Sequence, residues 1–255
     1  MKITVGPGVM VAAAFVGPGT VTTASVAGAS SGVSLLWAVA ISVLATIVLQ
    51  ELSIRSALST NQDLAPLIRQ FGHDRGWGVP IALLILCSVG LGNAAYQSGN
   101  LAGAAMGLSG ATPVRFIHAV VVTGSFAAGL ILVDRYRLLE RTMLILVGLM
   151  TCLLTGLAVA CLPELMTAHR QVVSSVHAFD ATVVLALIGT TVVPYNLFLH
   201  ATAVRHRWSG IALADALRQA RMESAGAIVV GGVVTAAIMI VATVVIAGDT
   251  SRPAL

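Results

Sequence analysis

Groups that could bind a solute lie at two interruptions of long apolar segments. The first is Gly17-Pro18-Gly19-Thr20, inside the run 3–29, and the second is Val193-Pro194-Tyr195-Asn196, inside the run 181–204. Proline removes a backbone donor and glycine weakens a helix, and a membrane span of about 20 apolar residues needs neither. Each run therefore predicts a broken helix whose freed backbone groups face protein or water, as at the binding site of a secondary transporter. The alternative is that these residues are simply common in membrane helices.

A polar stripe in the third apolar run is the next candidate. It has the i, i+3, i+4, i+7 spacing of one helical face and consists of Asn93, Tyr96, Gln97 and Asn100. Polar groups are costly in lipid, so we expect the stripe to point inward, where it either lines a path or bonds neighbouring helices. One turn beyond Asn196, His200 is the one group near enough to the breaks to serve in proton coupling.

The ligands that usually bind metal ions are missing from both breaks. No Asp or Glu lies at the middle of any apolar run, and neither break carries thiol or thioether groups. A metal ion, if one binds, would have to use hydroxyl or carbonyl oxygen, for which Thr20 and Thr190 are the candidates. The cysteines Cys87, Cys152 and Cys161 form no paired motif and read as small buried residues.

The elements that hold these groups are membrane helices. Of the 255 residues, 57% are hydrophobic and 9% charged, and the mean hydropathy is +0.96, so the chain is an integral membrane protein. Seven runs are long enough to span a bilayer, and they lie at 3–29, 33–54, 78–107, 114–133, 139–162, 181–204 and 224–247. A cytoplasmic N-terminus puts 11 of the 14 Lys and Arg on the cytoplasmic side. This orientation in the inner or plasma membrane explains the net charge of +4 better than a nucleic-acid partner does.

Three segments carry a resemblance to a known family. They are 6–20, which contains Gly-Pro-Gly and Ala-Ala-Ala-Phe-Val-Gly-Pro-Gly-Thr; 49–55, Leu-Gln-Glu-Leu-Ser-Ile-Arg; and 189–200, Gly-Thr-Thr-Val-Val-Pro-Tyr-Asn-Leu-Phe-Leu-His. In order and spacing they resemble the Nramp divalent-metal transporters. The resemblance implies an all-α inverted-repeat fold, shared with sodium-coupled amino-acid symporters, in which helices 1 and 6 are broken. It also implies one transmembrane domain over 1–255, with the first five-helix repeat at 1–162 and the first two helices of an incomplete second repeat at 180–247.

The resemblance implies a site in which this sequence departs from the family. The metal-binding Asp and Asn of the first helix correspond to Gly17 and Thr20, and the Ala carbonyl and Met thioether of helix 6 correspond to Thr190 and Val193. The first of the two helix-6 histidines is replaced by Tyr195. The second histidine corresponds to His200. The acidic pair of helix 3 aligns with Asn93 and Tyr96, so both acidic residues are replaced.

We therefore predict a divergent Nramp transporter, nominally for a divalent cation. The predicted substrate contacts are Gly17, Thr20, Thr190, Val193, Tyr195 and Asn196, and the predicted polar pathway is Asn93, Tyr96, Gln97, Asn100 and His200. A hydrated ion such as Mg²⁺ suits these groups better than Mn²⁺ or Fe²⁺. The alternative is a transport-inactive fragment or a regulatory membrane protein. No cofactor or enzymatic activity is expected, because the chain has no lysine for a retinal, no His-Glu-x-x-His and no phosphate loop.

Overall fold

Helices account for nearly all of the residues that the computed structural model describes, which are 16–132, 136–174 and 180–250. They are α1 Pro18–Ser31, α2 Leu36–Thr60, α3 Leu64–His73, α4 Gly78–Ala111, α5 Phe116–Leu132, α6 Tyr136–Ser174, α7 Ala181–Thr191, α8 Pro194–Arg207 and α9 Leu213–Thr250. Within these residues, five helical stretches are long and apolar enough to cross a bilayer, namely Pro18–Thr60, Gly78–Ala111, Ile145–Leu165, Ala181–Arg207 and Leu213–Val245. The chain is thus a multi-pass membrane protein.

The boundaries of α1 and α2 are set by residues that can adopt a left-handed backbone. Gly32, with φ of 59°, ends α1 and begins a 3-10 turn over Gly32–Leu35, and α2 follows directly. Asn61, with φ of 52°, ends α2. Only the second half of the predicted first run is described, because residues before 16 lie outside the described part of the chain.

Most helices extend beyond the predicted runs, and α9 and α6 do so by the largest margins. The helix α9 begins at Leu213, not at 224, because Ala216 and Ala220 in its polar first turns pack against Trp208 and Ile54. The helix α6 continues through Pro163 to Ser174, whereas the predicted run ends at 162. A proline inside a membrane helix is tolerated where neighbouring groups satisfy the freed carbonyl. The short helix α3 was not predicted at all. The prediction that the cysteines are buried is wrong, since Cys87 and Cys152 are exposed on α4 and α6 and Cys161 is partly exposed.

Small residues let α1, α2, α7 and α9 approach closely and form the core. The buried cluster they share includes Ala24, Ala27, Ala38, Leu187 and Met239. Gly28 of α1 lies directly against the Met239 backbone of α9, and Thr243 of α9 donates a hydrogen bond to the Gly28 carbonyl at 3.1 Å. This is the packing expected of membrane helices, where small residues rather than hydrophobic burial bring backbones together. The division of the chain into a complete and an incomplete repeat stays a prediction.

The contact between Gly28 and α9 makes a testable prediction. A Cβ added at Gly28 would overlap the Met239 carbonyl oxygen, which cannot move without shifting α9. We expect Gly28→Ala to lower the free energy of unfolding by about 1–3 kcal/mol, since overpacking outweighs the gain of about 1 kcal/mol in helix propensity. The measurement is the thermal unfolding midpoint in detergent.

The matched control is Gly226→Ala in α9, where an added Cβ meets nothing within 4 Å. We expect its midpoint to be unchanged or higher. Equal midpoints for the two variants would contradict the proposed close contact between α1 and α9.

Candidate substrate site at two helix breaks

The break in the second interrupted run lies between α7 and α8. α7 ends at Thr191 and α8 begins at Pro194, while Val192 (φ −89°, ψ 83°) and Val193 (φ −100°, ψ 114°) are not helical. Because proline has no N–H, the carbonyl of Thr190 loses the donor that a continuous helix would provide. The predicted break is confirmed, and it removes the helical hydrogen bond to the Thr190 carbonyl at the end of α7.

At the first predicted break, the described part of the chain shows the start of α1. Gly17 is extended (φ −108°, ψ 176°) and Pro18 occupies the first position of α1, where a missing N–H costs nothing. The N–H of Gly19 donates to Asn100 Oδ1 of α4 at 3.1 Å, and Asn100 Nδ2 donates to Gln97 Oε1 at 2.9 Å. A side-chain amide of α4 thus satisfies an orphan donor at the start of α1.

Glycine is needed on both sides of this contact. A Cβ on Gly17 would lie 2.9 Å from Asn100 Oδ1, and a Cβ on Gly103 would lie 2.9 Å from Pro18 Cβ. The glycines Gly99, Gly103 and Gly107 of α4 form a small-xxx-small series, and this series contacts α1 through Gly103. Among the other members, Gly99 and Gly107 have open space around them.

Tyr96 connects the two breaks. Its side chain is hydrogen bonded to that of Thr20, which is buried in the first turn of α1. Its ring packs edge-on against Tyr195 in the first turn of α8, with centroids 6.1 Å apart and planes at 64°. One residue of the polar stripe therefore contacts both interrupted helices. The hydrogen-bonding alternative for the stripe applies to Tyr96 and Asn100.

The remaining predicted residues differ in what they offer. The hydroxyl of Thr190 donates back to the Leu187 carbonyl at 2.9 Å, so its hydrogen is engaged, while its oxygen and the Thr190 carbonyl can both still accept. Val193 is buried in the apolar cluster, and Asn196 is 2% exposed. The buried Oδ1 of Asn93 has no hydrogen-bond donor within the described part of the chain.

His200 is turned toward α2. Its Nδ1 lies 2.8 Å from Gln50 Oε1, and both side chains are buried. A carboxamide oxygen only accepts, so Nδ1 carries a proton in this pair. In the same interface Ser53 donates to the Leu197 carbonyl at 2.9 Å. A role for His200 in a polar pathway stays a prediction.

The partner of His200 was not identified from the sequence, although a signal was present. The buried face of α2 carries polar side chains at i, i+4, i+8 and i+11, which are Ser42, Thr46, Gln50 and Ser53. That periodicity in an apolar helix predicts a polar contact with another helix. The identity of the contacted helix does not follow from it.

Charged groups lie away from the breaks, at the end of the bundle where α2 ends. Glu51 forms ion pairs with Arg55 at 3.0 Å and with Arg221 of α9. Asp63 pairs with Arg205 at 3.1 Å. Within the described residues no three His, Cys, Asp or Glu side chains are grouped to hold a metal ion. The breaks therefore present hydroxyl, amide and carbonyl groups.

Known proteins share this arrangement of helices. Residues 8–253 match the family model described as natural resistance-associated macrophage protein-like. The chain belongs to the Nramp family. Two curated Nramp relatives named Divalent metal cation transporter MntH are similar to it. One, from Mesorhizobium japonicum, is 28% identical over 94% of this chain and 54% of that protein. The other, from Brucella suis biovar 1, is 30% identical over 93% and 53%.

A solved structure confirms the Nramp fold. The manganese transporter of Eremococcus coleocola, in complex with an aromatic bis-isothiourea substituted compound, superposes with a TM-score of 0.67. It is 24% identical and the match covers 93% of this chain and 50% of that one. The all-helical inverted-repeat fold with interrupted helices is therefore confirmed. The chain spans about half the length of the relatives that it matches.

The amide that caps α1 generates a second prediction. Asn100→Ala removes the acceptor of the Gly19 N–H, and we expect the free energy of unfolding to fall by about 1 kcal/mol, as for loss of a helix N-cap. Gln97→Ala is the control, because it removes only the outer bond to Asn100. Chemical denaturation in detergent would measure both variants. A loss for Gln97→Ala as large as that for Asn100→Ala would contradict the capping role.

The buried pair between α2 and α8 generates a third prediction. In a double-mutant cycle of Gln50→Ala and His200→Ala, we expect a coupling free energy of about 1–2 kcal/mol, because each single variant leaves a buried polar group without a partner. The unfolding midpoint of the four proteins gives the coupling. Thr46→Ala paired with His200→Ala is the control, since Thr46 bonds to its own helix at the Ser42 carbonyl. A coupling of zero for Gln50 and His200 would contradict the hydrogen bond.

Proposed function

We propose that the protein transports a divalent metal cation across the membrane by alternating access, with the ion held between the two helix breaks. The observation that supports this most directly is the pair of interrupted helices joined by Tyr96, with the Thr190 carbonyl left without its helical donor. In secondary transporters, unwound carbonyls and half-helix termini bind the substrate at the bilayer midplane. The relatives named divalent metal cation transporters, and the solved relative named a manganese transporter, support a metal ion as substrate.

The chemistry of the site favours an ion that keeps part of its water shell. Soft or dehydrated transition metals require thioether, imidazole or carboxylate ligands. Mg²⁺ dehydrates reluctantly and is often held through waters and a few oxygens. We propose the Thr190 carbonyl and the Thr20 hydroxyl as direct or water-mediated contacts. The other proposed substrate contacts at the two breaks are Gly17, Val193, Tyr195 and Asn196.

The polar stripe supplies the wall of the proposed path. Asn93 carries a buried Oδ1 without a donor in the described chain, and Gln97 is exposed beside Asn100. Such amides can exchange hydrogen bonds with the water that accompanies a hydrated ion. We propose that His200 lies at the end of this path next to α2, where its hydrogen bond to Gln50 holds the imidazole ring in position.

We propose further that the N-terminus is cytoplasmic and that the protein resides in the cell membrane. Of the 14 Lys and Arg, 11 lie on the side that this orientation makes cytoplasmic.

The protein would act as a carrier, with no chemical conversion of the ion. The two half-helices α7 and α8 meet at a two-residue joint, which lets one tilt relative to the other as access alternates.

Reconstitution in liposomes tests the proposal. We expect the chain to mediate Mg²⁺ uptake, followed with an entrapped indicator, and Pro194→Ala to reduce the initial rate by about tenfold. The new N–H at 194 would bond the Thr190 carbonyl and remove one contact to the charged ion. Pro163→Ala in α6 is the matched control, because it also restores a donor within a membrane helix but far along the chain from both breaks.

Three outcomes would count against the proposal. Uptake of a neutral solute without flux of Mg²⁺ or Mn²⁺ would overturn the metal substrate. Equal rates for Pro194→Ala and the parent chain would overturn the placement of the site. Absence of any flux would favour the alternative of a transport-inactive or regulatory protein.

A further inference from the structure

The connection between α2 and α4 contains the amphipathic helix α3. Its apolar residues are Leu64, Leu67, Ile68 and Phe71. At the end that joins α4, Gly72 packs against Ile81. A short amphipathic helix at the end of a membrane span lies in the interface, with its apolar side toward lipid and core. The opposite face of α3 has the spacing i, i+3, i+4 and i+7 and comprises Pro66, Arg69, Gln70 and His73.

This second face of α3 does not pack closely against α4. The two helices leave a groove of about 960 Å³, which is near the upper end of small-ligand pockets. The α3 wall of the groove is the cationic and polar face, and the α4 wall is apolar, formed mainly by Val79, Ala82, Leu83 and Leu86. Val79, Leu83 and Leu86 are 72%, 55% and 68% exposed. The groove therefore has one polar, positively charged wall on α3 and one apolar wall on α4.

Arg69 is the charged group that distinguishes this groove. Within the described residues it forms neither an ion pair nor a hydrogen bond. Its neighbour Arg75 is already engaged, because its guanidinium stacks on the Phe71 ring at 3.6 Å. A guanidinium presents paired donors that match the oxygens of a phosphate. The groove thus offers a free phosphate-binding group opposite an apolar wall.

We propose that this groove binds one phospholipid with an anionic headgroup. The phosphate contacts Arg69 and His73, and one acyl chain runs along Val79, Leu83 and Leu86 into the bilayer. A phosphodiester with two chains covers both walls, whereas free phosphate leaves the apolar wall open. In the orientation proposed above, the groove lies on the side that carries 11 of the 14 Lys and Arg, where anionic lipid is attracted to juxtamembrane cations. This proposal does not depend on transport or on the identity of the transported ion.

Native mass spectrometry of the full chain in detergent tests the proposal. The probes are phosphatidylglycerol, phosphatidylcholine with the same chains, and inorganic phosphate. We expect the first phosphatidylglycerol to bind about tenfold more tightly than phosphatidylcholine, because both carry the phosphodiester but the choline cation cancels its charge and is repelled by Arg69. Excess inorganic phosphate should displace it by less than about twofold, because the acyl chain adds apolar burial. Equal affinity for the two lipids, or full displacement by phosphate, would overturn the proposal.

Two pairs of neighbouring residues serve as matched variants. Arg69→Gln should weaken binding of the first phosphatidylglycerol by about tenfold, whereas Arg75→Gln removes the same charge outside the groove and should change it less than twofold. Leu83→Ala should weaken it about fivefold, whereas Leu84→Ala, outside the groove, should not. Arg69→Lys, which keeps the charge, should restore part of the affinity if the fold is intact. Equal losses within either pair would overturn the site.

Discussion

A proline at position 194 deprives the Thr190 carbonyl of its donor at a place where lipid offers no replacement. Every feature of the candidate site follows from how the protein accommodates such freed backbone groups. At the start of α1 it supplies a side-chain acceptor, Asn100, for the Gly19 N–H. At the end of α7 the Thr190 carbonyl lacks its helical bond, and the buried polar residues Thr191 and Asn196 lie on either side of the break. A helix without interruptions would need none of these groups.

The polar stripe of α4 is what makes the two interruptions a single site. Asn100 and Tyr96 lie one turn apart, so one amide reaches the start of α1 while the tyrosine contacts both α1 and α8. Gly103 lies one turn beyond Asn100, and the absence of a side chain there lets Pro18 of α1 approach α4 closely. The polar contacts and the close packing are therefore made by the same face of α4.

The breaks could be predicted because proline and glycine act on the backbone of their own segment. The partners could not, since Gln50 and His200 are 150 residues apart and helical spacing shows a face without showing what it meets. The helix α9 begins earlier than predicted because Ala216 and Ala220 pack against Trp208 and Ile54, and this packing cannot be inferred from the local sequence. The ten-residue helix α3 has an amphipathic pattern, but the segment is short and has a proline at its third position. Both features are also typical of turns, so the sequence alone did not indicate a helix. In each case the sequence does not show which distant residues pack together in the folded protein.

The uninterrupted length of α9 has a mechanical consequence. Its 38 residues form one helix about 57 Å long. Thr243 of α9 donates a hydrogen bond to the Gly28 carbonyl of α1. Arg221, about 33 Å away along the α9 axis, forms an ion pair with Glu51 of α2. The residues between these two contacts form one continuous helix, with no loop in between. A displacement of α1 at Gly28 therefore has a direct helical connection to the ion pair of Glu51 and Arg221.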